Sequence, residues 1–361
     1  MNPKLINLFD YESLAKQRLP QTVLDYYASG AWDEVTLLDN RRAFERYKLC
    51  PRMLVDVSQQ DLSTKILGKQ LDIPILIAPM AFQCLADAEG ELATVRAASA
   101  FGAGMVLSTM STKSLEEVAI KVKSENLQHL WFQLYIHRDR SLTRDLIQRA
   151  EAAGFNALCL TVDVPVLGRR ERDQQNNFTL PSGLELANLS GCKIPETVGE
   201  SGVFAYVAQQ FDPALTWKDI DWLRSQTNLP LVVKGILRPD DAVRAVEYGV
   251  QGVIVSNHGG RQLDGAIATI DALSDVVAAV GDHVDVLVDS GFRRGTDILK
   301  ALALGAKAVL VGRPVLWGLS VAGEAGVRKV LEILQDELSI AMALSGCRTI
   351  QEIDASLIKQ V

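Results

Sequence analysis

The chain has 361 residues, 48% of them hydrophobic and 22% charged, with a formal net charge of −7. This is a globular composition, long enough for two domains or for one large α/β barrel. The acidic balance argues against a general nucleic-acid binder, and no apolar stretch is long enough to span a membrane.

In chain order, residues 1–72 read as an N-terminal helical extension. Eight short apolar runs follow: PILIAP (Pro74–Pro79), MVLST (Met105–Thr109), LWFQLY (Leu130–Tyr135), ALCLTVD (Ala157–Asp163), PLVVKG (Pro230–Gly235), GVIVSN (Gly252–Asn257), VDVLVDSG (Val284–Gly291) and KAVLVGR (Lys307–Arg313). Runs of this length, rich in Val, Ile and Leu, suit parallel strands buried on both faces. Helix-like segments alternate with them. Ser111–Val122 carries a capping pattern at Ser114. Ser141–Gly154, Arg238–Gly249 and Arg293–Gly305 each end in a glycine, as helix C-termini do.

Strand followed by helix, repeated eight times, predicts a (β/α)8 barrel in one domain over 1–361, with the barrel strands in 73–313 and closing helices in 314–361. The spacing breaks only between Asp163 and Pro230. There the polar stretch 176–202 predicts a long loop after strand four, on the catalytic face. A doubly wound open sheet would need G-x-G-x-x-G after the first strand, and IAPMAFQCLADAEGE has none.

Five cysteines, Cys50, Cys84, Cys159, Cys192 and Cys347, include no C-x-x-C and read as reduced thiols of a cytoplasmic protein. The N-terminus lacks the apolar core of a secretory signal, and the C-terminal LIKQV is neither a peroxisomal nor an ER address.

Barrel chemistry gathers where strands end. Those ends carry Ala81, Ser108, Gln133 with Tyr135, Thr161 with Asp163, Lys234, Ser256 with His258, Asp289, and Gly312 with Arg313. Singly, Ser108 or Thr161 reads as well as a helix cap. Jointly, polar ends on apolar strands point to one site. DSGFRRG and VGRP put glycines and arginines after strands seven and eight, where such barrels bind phosphate. Lys234 is placed to neutralise an anionic ligand. His258 titrates near neutrality and suits a base. Asp163 suits its partner, and Arg170 and Arg261 suit a carboxylate clamp. His129 and His283 sit at strand starts, the stability face, and His137 is ambiguous. No metal-ligand spacing, Walker A motif or G-x-S-x-G occurs.

SNHGGRQLDG (Ser256–Gly265) closely resembles the signature of the FMN-dependent L-2-hydroxy-acid oxidases and dehydrogenases. The resemblance extends through DYYASGAWDE, CPRMLVDVS, IAPMAFQ, WFQLYIHRDR, LTVDVPVLGRRERD, VVKGIL, DSGFRRGTDILKALALGA and VGRPVLWGL. It implies FMN as cofactor, a small 2-hydroxy acid and O2 as substrates, peroxide as product, and a homotetramer or octamer. His258 matches the family's base, Asp163 its partner, Arg261 and Arg170 the carboxylate clamps, and Tyr26 and Tyr135 the phenols at the substrate's carboxylate and hydroxyl. Lys234 matches the lysine that stabilises negative charge on the reduced flavin. The main chain of Pro79, Met80 and Ala81 matches the segment facing the ring. Ser108, Gln133 and Thr161 match ring-edge contacts, with Ser256 also on the cofactor side. Asp289 matches a ribityl contact. Gly291, Arg293, Gly312 and Arg313, with Ser290 beside them, match the phosphate cradle.

Two departures stand out. Ser290 replaces a frequent second glycine, keeping the backbone N–H. Met110 falls near a tryptophan of plant glycolate oxidases. Methionine is narrower and more pliable, so with Met80 it favours L-lactate over glycolate. The competing readings are a same-family dehydrogenase using a quinone or protein acceptor, an FMN-dependent isomerase, and a non-catalytic flavin-binding barrel. Asp264 reads as a structural loop carboxylate.

Overall fold

The computed structural model describes residues 5–122, 129–189 and 202–361. Eight parallel strands close into one barrel: β1 Ile75–Ile77, β2 Gly104–Leu107, β3 Leu130–Leu134, β4 Ala157–Thr161, β5 Leu231–Ile236, β6 Gly252–Val255, β7 Asp285–Val288 and β8 Ala308–Val311. Each pairs with the next, and β8 closes on β1 through Val309 and Ile75. Every predicted strand is present. Their continuous apolar character follows from burial on both faces, inward against each other and outward against helices.

Helices α1 Leu8–Arg18, α2 Gln21–Ala28 and α3 Val35–Arg42 precede the barrel. α4 Glu91–Phe101, α5 Leu115–Val122 and α6 Arg140–Ala153 follow β1, β2 and β3. After β4 come α7 Glu171–Gln175, α8 Gly202–Gln210 and α9 Lys218–Arg224. α10 Pro239–Glu247, α11 Thr269–Val280, α12 Gly295–Ala303 and α13 Arg313–Leu344 follow β5 to β8. The Ser114 cap forms as predicted: its hydroxyl accepts from the Glu117 N–H, and the Glu117 carboxylate accepts from Ser114 N–H. Gly154 ends α6 in a left-handed conformation that a side chain would strain.

The pleat explains where the barrel's polar residues lie. Side chains two apart on a strand share a face. Val106, Trp131, Cys159, Val232, Ile254, Leu287 and Leu310 form an apolar layer inside the barrel, with Ala78. Two residues further along the same chains stand Ser108, Gln133, Thr161, Lys234, Ser256, Asp289 and Gly312, with Met80 after Ala78. The polar ring is thus one pleat above a dry plug. At the other end the hairpin Thr64–Ile66/Lys69–Leu71 closes the barrel, with Ile66 and Leu71 buried in the plug. His129 Nε2 meets the carbonyls of Lys69 and Gln70 there, as suits the stability face. His283 lies at the same end, exposed.

Some expectations are corrected. The extension is not only helical: besides the hairpin, Tyr47–Leu49 pairs antiparallel with Ile358–Gln360. The closing segment is likewise not all helix. α13 breaks at Ala322 and Gly323, and the tail runs through two 3-10 turns into that last strand. Three-residue strands are too short to show an alternation. The described part of the predicted loop, residues 176–189, holds no helix or strand, and short helices flank it as α7 before and α8 and α9 after. Residues 190–201, part of the predicted loop, and Cys192 lie outside the described residues. Among the described residues no helix is long and apolar enough to cross a membrane.

Candidate active site

The polar ring opens into a cavity of about 1150 Å³, counting its open mouth. Its wall is drawn from the ends of the strands, from α2 and α8, from Arg170 just before α7 and from the start of α13. The loop after β6 forms a 3-10 turn, His258–Gly260, in which His258, Gly259 and Gly260 all have positive φ. Asn257 holds that turn. Its Oδ1 accepts from Gly260 N–H, and its side chain exchanges two hydrogen bonds with Asn40. Asp264, expected to be structural, accepts the Val35 and Thr36 N–H groups at the start of α3.

His258 Nδ1 lies 2.9 Å from Oδ1 of Asp163. Burial lowers the His258 pKa below its usual value, against the opposing pull of Asp163, so the ring is neutral near pH 7. Burial works to raise the Asp163 carboxyl, but His258 and Lys234 outweigh it and hold it below the usual range. An ionised Asp163 accepts Nδ1–H and leaves Nε2 as the basic nitrogen. The close approach depends on Gly235. It has φ +114°, sits at a β-bulge against β6, and a Cβ there would fall 2.7 Å from Asp163 Cβ.

Lys234 is buried, 3.1 Å from Asp289 and donating to Ser256 Oγ at 2.9 Å. Burial opposes its charge, yet Asp289 and then Asp163 outweigh that and raise its pKa, so it is a fixed cation. Four arginines crowd the same space. Arg261 donates to the carbonyls of Tyr26 and Ser29, and its guanidinium lies over the Tyr26 ring. Burial, then Arg170, lowers its pKa to about 10. Arg293 and Arg313 are lowered by burial too, Arg313 also by Arg261, Arg293 and Arg170. The carboxylates that face them pair loosely: Asp173 at 4.0 Å from Arg170 and Glu12 at 3.8 Å from Arg293. Largely buried cations that repel one another and are only loosely paired form a site for anionic ligands.

Of the sequence-predicted residues, Tyr26, Pro79, Met80, Ala81, Ser108, Tyr135, Thr161, Arg170, Lys234, His258, Arg261, Asp289, Ser290, Gly291, Arg293, Gly312 and Arg313 line this one cavity. Asp163, Gln133 and Ser256 stand behind the wall. Gln133 Oε1 accepts from Ser108 and Thr109, and Ser256 Oγ accepts from His258 N–H. His137 is away from the cavity, buried edge-on against Phe211. Sequence reasoning missed Val164, Leu167, Val203, Val207 and Phe211, an apolar wall from the segment after β4. Phe211 stacks on Tyr135 at 4.4 Å. Phe178 stacks on Tyr26 at 4.3 Å. The apolar spacing of Val203, Val207 and Phe211 in GVFAYVAQQF was the available signal.

A histidine–carboxylate pair, a fixed lysine and two sets of largely buried arginines at a barrel mouth define an enzyme for small anions with a phosphate-bearing ligand. The chain belongs to the FMN-dependent dehydrogenase family, which it matches over residues 15–360. It is 64% identical to the L-lactate oxidase of Nostoc sp. over 98% of each chain. It is 52% identical to human 2-hydroxyacid oxidase 1 over 100% of this chain and 98% of the relative. Spinach (Spinacia oleracea) glycolate oxidase is 51% identical over 98% of this chain and 95% of its own. A crystal structure of mandelate oxidase with (S)-4-hydroxymandelic acid superposes with a TM-score of 0.93 at 45% identity, covering 98% of both chains.

The residues present fit FMN. The Gln133 Nε2 donor is buried without a hydrogen-bond partner among the described residues. Arg293 and Arg313 adjoin Gly291 and Gly312 after β7 and β8. A Cβ on Gly312 would meet Ala78 and Met80 only at ordinary contact distance, 3.7 Å, so no protein atom crowds this backbone.

Proposed function

We propose that the protein is an FMN-dependent oxidase of small L-2-hydroxy acids, with L-lactate preferred and glycolate also accepted. One acid and one O2 give one 2-oxo acid and one hydrogen peroxide. The observation that carries the reading is the meeting of Arg170 and Arg261 with the His258–Asp163 pair around one cavity. The oxidase relatives support O2 as acceptor.

When bound, FMN supplies the two-electron acceptor between acid and O2. Ser108, Gln133, Thr161, Lys234, Ser256 and the Pro79–Ala81 main chain would hold its ring, and Asp289 its ribityl chain. Ser290, Gly291, Arg293, Gly312 and Arg313 would hold its phosphate. Arg170 and Arg261, with the Tyr26 phenol, bind the substrate carboxylate by charge-assisted hydrogen bonds. That anchoring sets the substrate's hydroxyl-bearing carbon beside His258 and Tyr135. His258 accepts a proton at Nε2, and ionised Asp163 stabilises the resulting cation. Lys234 places a fixed positive charge where negative charge develops. Met80, Met110, Leu167, Val203 and Val207 exclude water and take the substrate's side chain.

The reading extends to a homotetramer, or an octamer, and to the cytoplasm. The exposed Trp32, Val35, Leu38, Leu263 and Ile267 offer apolar surface for self-association. The described cysteines are free thiols. The test is an absorption spectrum of the purified protein with FMN, then aerobic kinetics on L-lactate and glycolate with peroxide measured. A yellow protein that makes peroxide is expected. A protein that takes up no FMN overturns the reading, and fast dye reduction without peroxide reassigns the acceptor.

A further inference from the structure

Ser290 stands where the backbone favours glycine, with φ +78°. Residues with side chains adopt this conformation at a cost. The side chain kept there makes two specific bonds. Its Oγ accepts from Gly259 N–H at 3.1 Å and donates to Asp289 Oδ1 at 2.8 Å. The other oxygen of Asp289 faces Lys234 at 3.1 Å. Lys234 donates to Ser256 Oγ, which accepts from His258 N–H. The bonds close a ring: Lys234, Ser256, the His258–Gly259 main chain, Ser290, Asp289 and back to Lys234. Two serine hydroxyls join this ring to the turn at the N–H groups of His258 and Gly259, while Arg313 donates to the Gly259 carbonyl at 3.0 Å and Asn257 accepts from Gly260 N–H. That turn has three successive residues at positive φ and needs anchoring from outside itself.

We infer that the Ser290 hydroxyl is a positioning group for His258: it fastens the Gly259 side of the turn to the end of β7 and orients Asp289 toward Lys234. Ser256 fastens the His258 side. With the Ser290 bond lost, the Gly259 N–H is freed, Arg313 and Asn257 hold only the Gly259 carbonyl and the Gly260 N–H, and the geometry of the imidazole toward Asp163 and the substrate loosens. This inference rests on the functional reading above.

The test compares Ser290→Gly and Ser290→Ala with the parent holoenzyme and apoprotein. Both lose the hydroxyl, but only glycine relieves the left-handed backbone. Ser290→Gly therefore melts higher than Ser290→Ala, yet both lose about tenfold in kcat/KM for L-lactate, mainly in kcat. Their FMN dissociation constants stay within about threefold of the parent, because the backbone N–H is kept. In the apoprotein, Gly259 amide exchange rises about tenfold in both, while exchange in β6 and β7 is unchanged. A Ser290→Gly enzyme as active as the parent, or unchanged Gly259 exchange, overturns the inference. So does a loss of FMN affinity that accounts for the lost turnover, which would assign the serine to the cofactor. If the parent itself binds no FMN or oxidises no hydroxy acid, it is the functional reading that fails.

Discussion

Asp163 offers one oxygen to His258, at 2.9 Å from Nδ1, and its other oxygen has no hydrogen-bond partner among the described residues. The pair is therefore a single directed contact rather than part of a wider carboxylate network. Asp163→Asn keeps the shape but removes the charge that stabilises protonated His258. General base catalysis is worth about 10²–10⁴-fold, and a loss in the lower half of that range is expected in kcat. FMN content should be unchanged. Rapid-reaction measurement of flavin reduction by L-lactate checks this, and a variant within a few-fold of the parent removes Asp163 from the mechanism.

The same pair sets the acid limb of activity. His258 must be neutral to accept a proton. Burial holds its pKa below 6.5, with Lys234 and Arg170 adding to the effect and Asp163 opposing it. In the free enzyme kcat/KM should therefore be level at neutral pH and fall only as pH drops through a value below 6.5. Removing the opposing charge in Asp163→Asn moves that limb to still lower pH. A pH profile of kcat/KM with its acid limb above the ordinary histidine value contradicts the assignment.

Much of this site was legible because the barrel obeys simple periods. Eight apolar runs marked the strands, and a residue's place just past a run placed it at the mouth, as with Lys234 and Asp289. The ring formed by Ser256, Ser290 and Asp289 was not legible, since it depends on bond directions across three strands. The apolar wall of Val203, Val207 and Phe211 was hidden because its helix follows a polar stretch that reads as loop. Gly235 gave no sign of its task, which is to let Asp163 approach from the neighbouring strand. The pairing of Tyr47–Leu49 with Ile358–Gln360 joins segments from opposite ends of the chain, which no local pattern reports.

Met110 lines the cavity and is almost fully buried. Met110→Trp fills the space offered to the substrate's side chain, which glycolate lacks and L-lactate carries as a methyl group. Discrimination over one methyl group is worth about 1–3 kcal/mol. The ratio of kcat/KM for glycolate to that for L-lactate should rise about tenfold or more. Side-by-side steady-state kinetics with both acids measures it. A ratio unmoved by the tryptophan places the substrate's side chain elsewhere, against Val203 and Val207.

His137 has no place in the reaction but should control acid stability. It is fully buried, with its ring 5.3 Å from Phe211, and Phe211 in turn stacks on Tyr135. Burial drives its pKa down from 6.5 to about 4. The unfolded chain therefore binds a proton between these values that the folded protein refuses. Stability is untouched above 6.5 and declines as pH falls toward about 4. The full difference is worth about 3 kcal/mol. Denaturant unfolding of the apoprotein at a series of pH values should show this decline in the parent. His137→Gln is expected to be less stable at neutral pH, because the packing against Phe211 is altered, but to decline less on acidification by roughly that amount. Equal slopes in parent and variant would assign the acid sensitivity to other groups, with buried His129 the next to test.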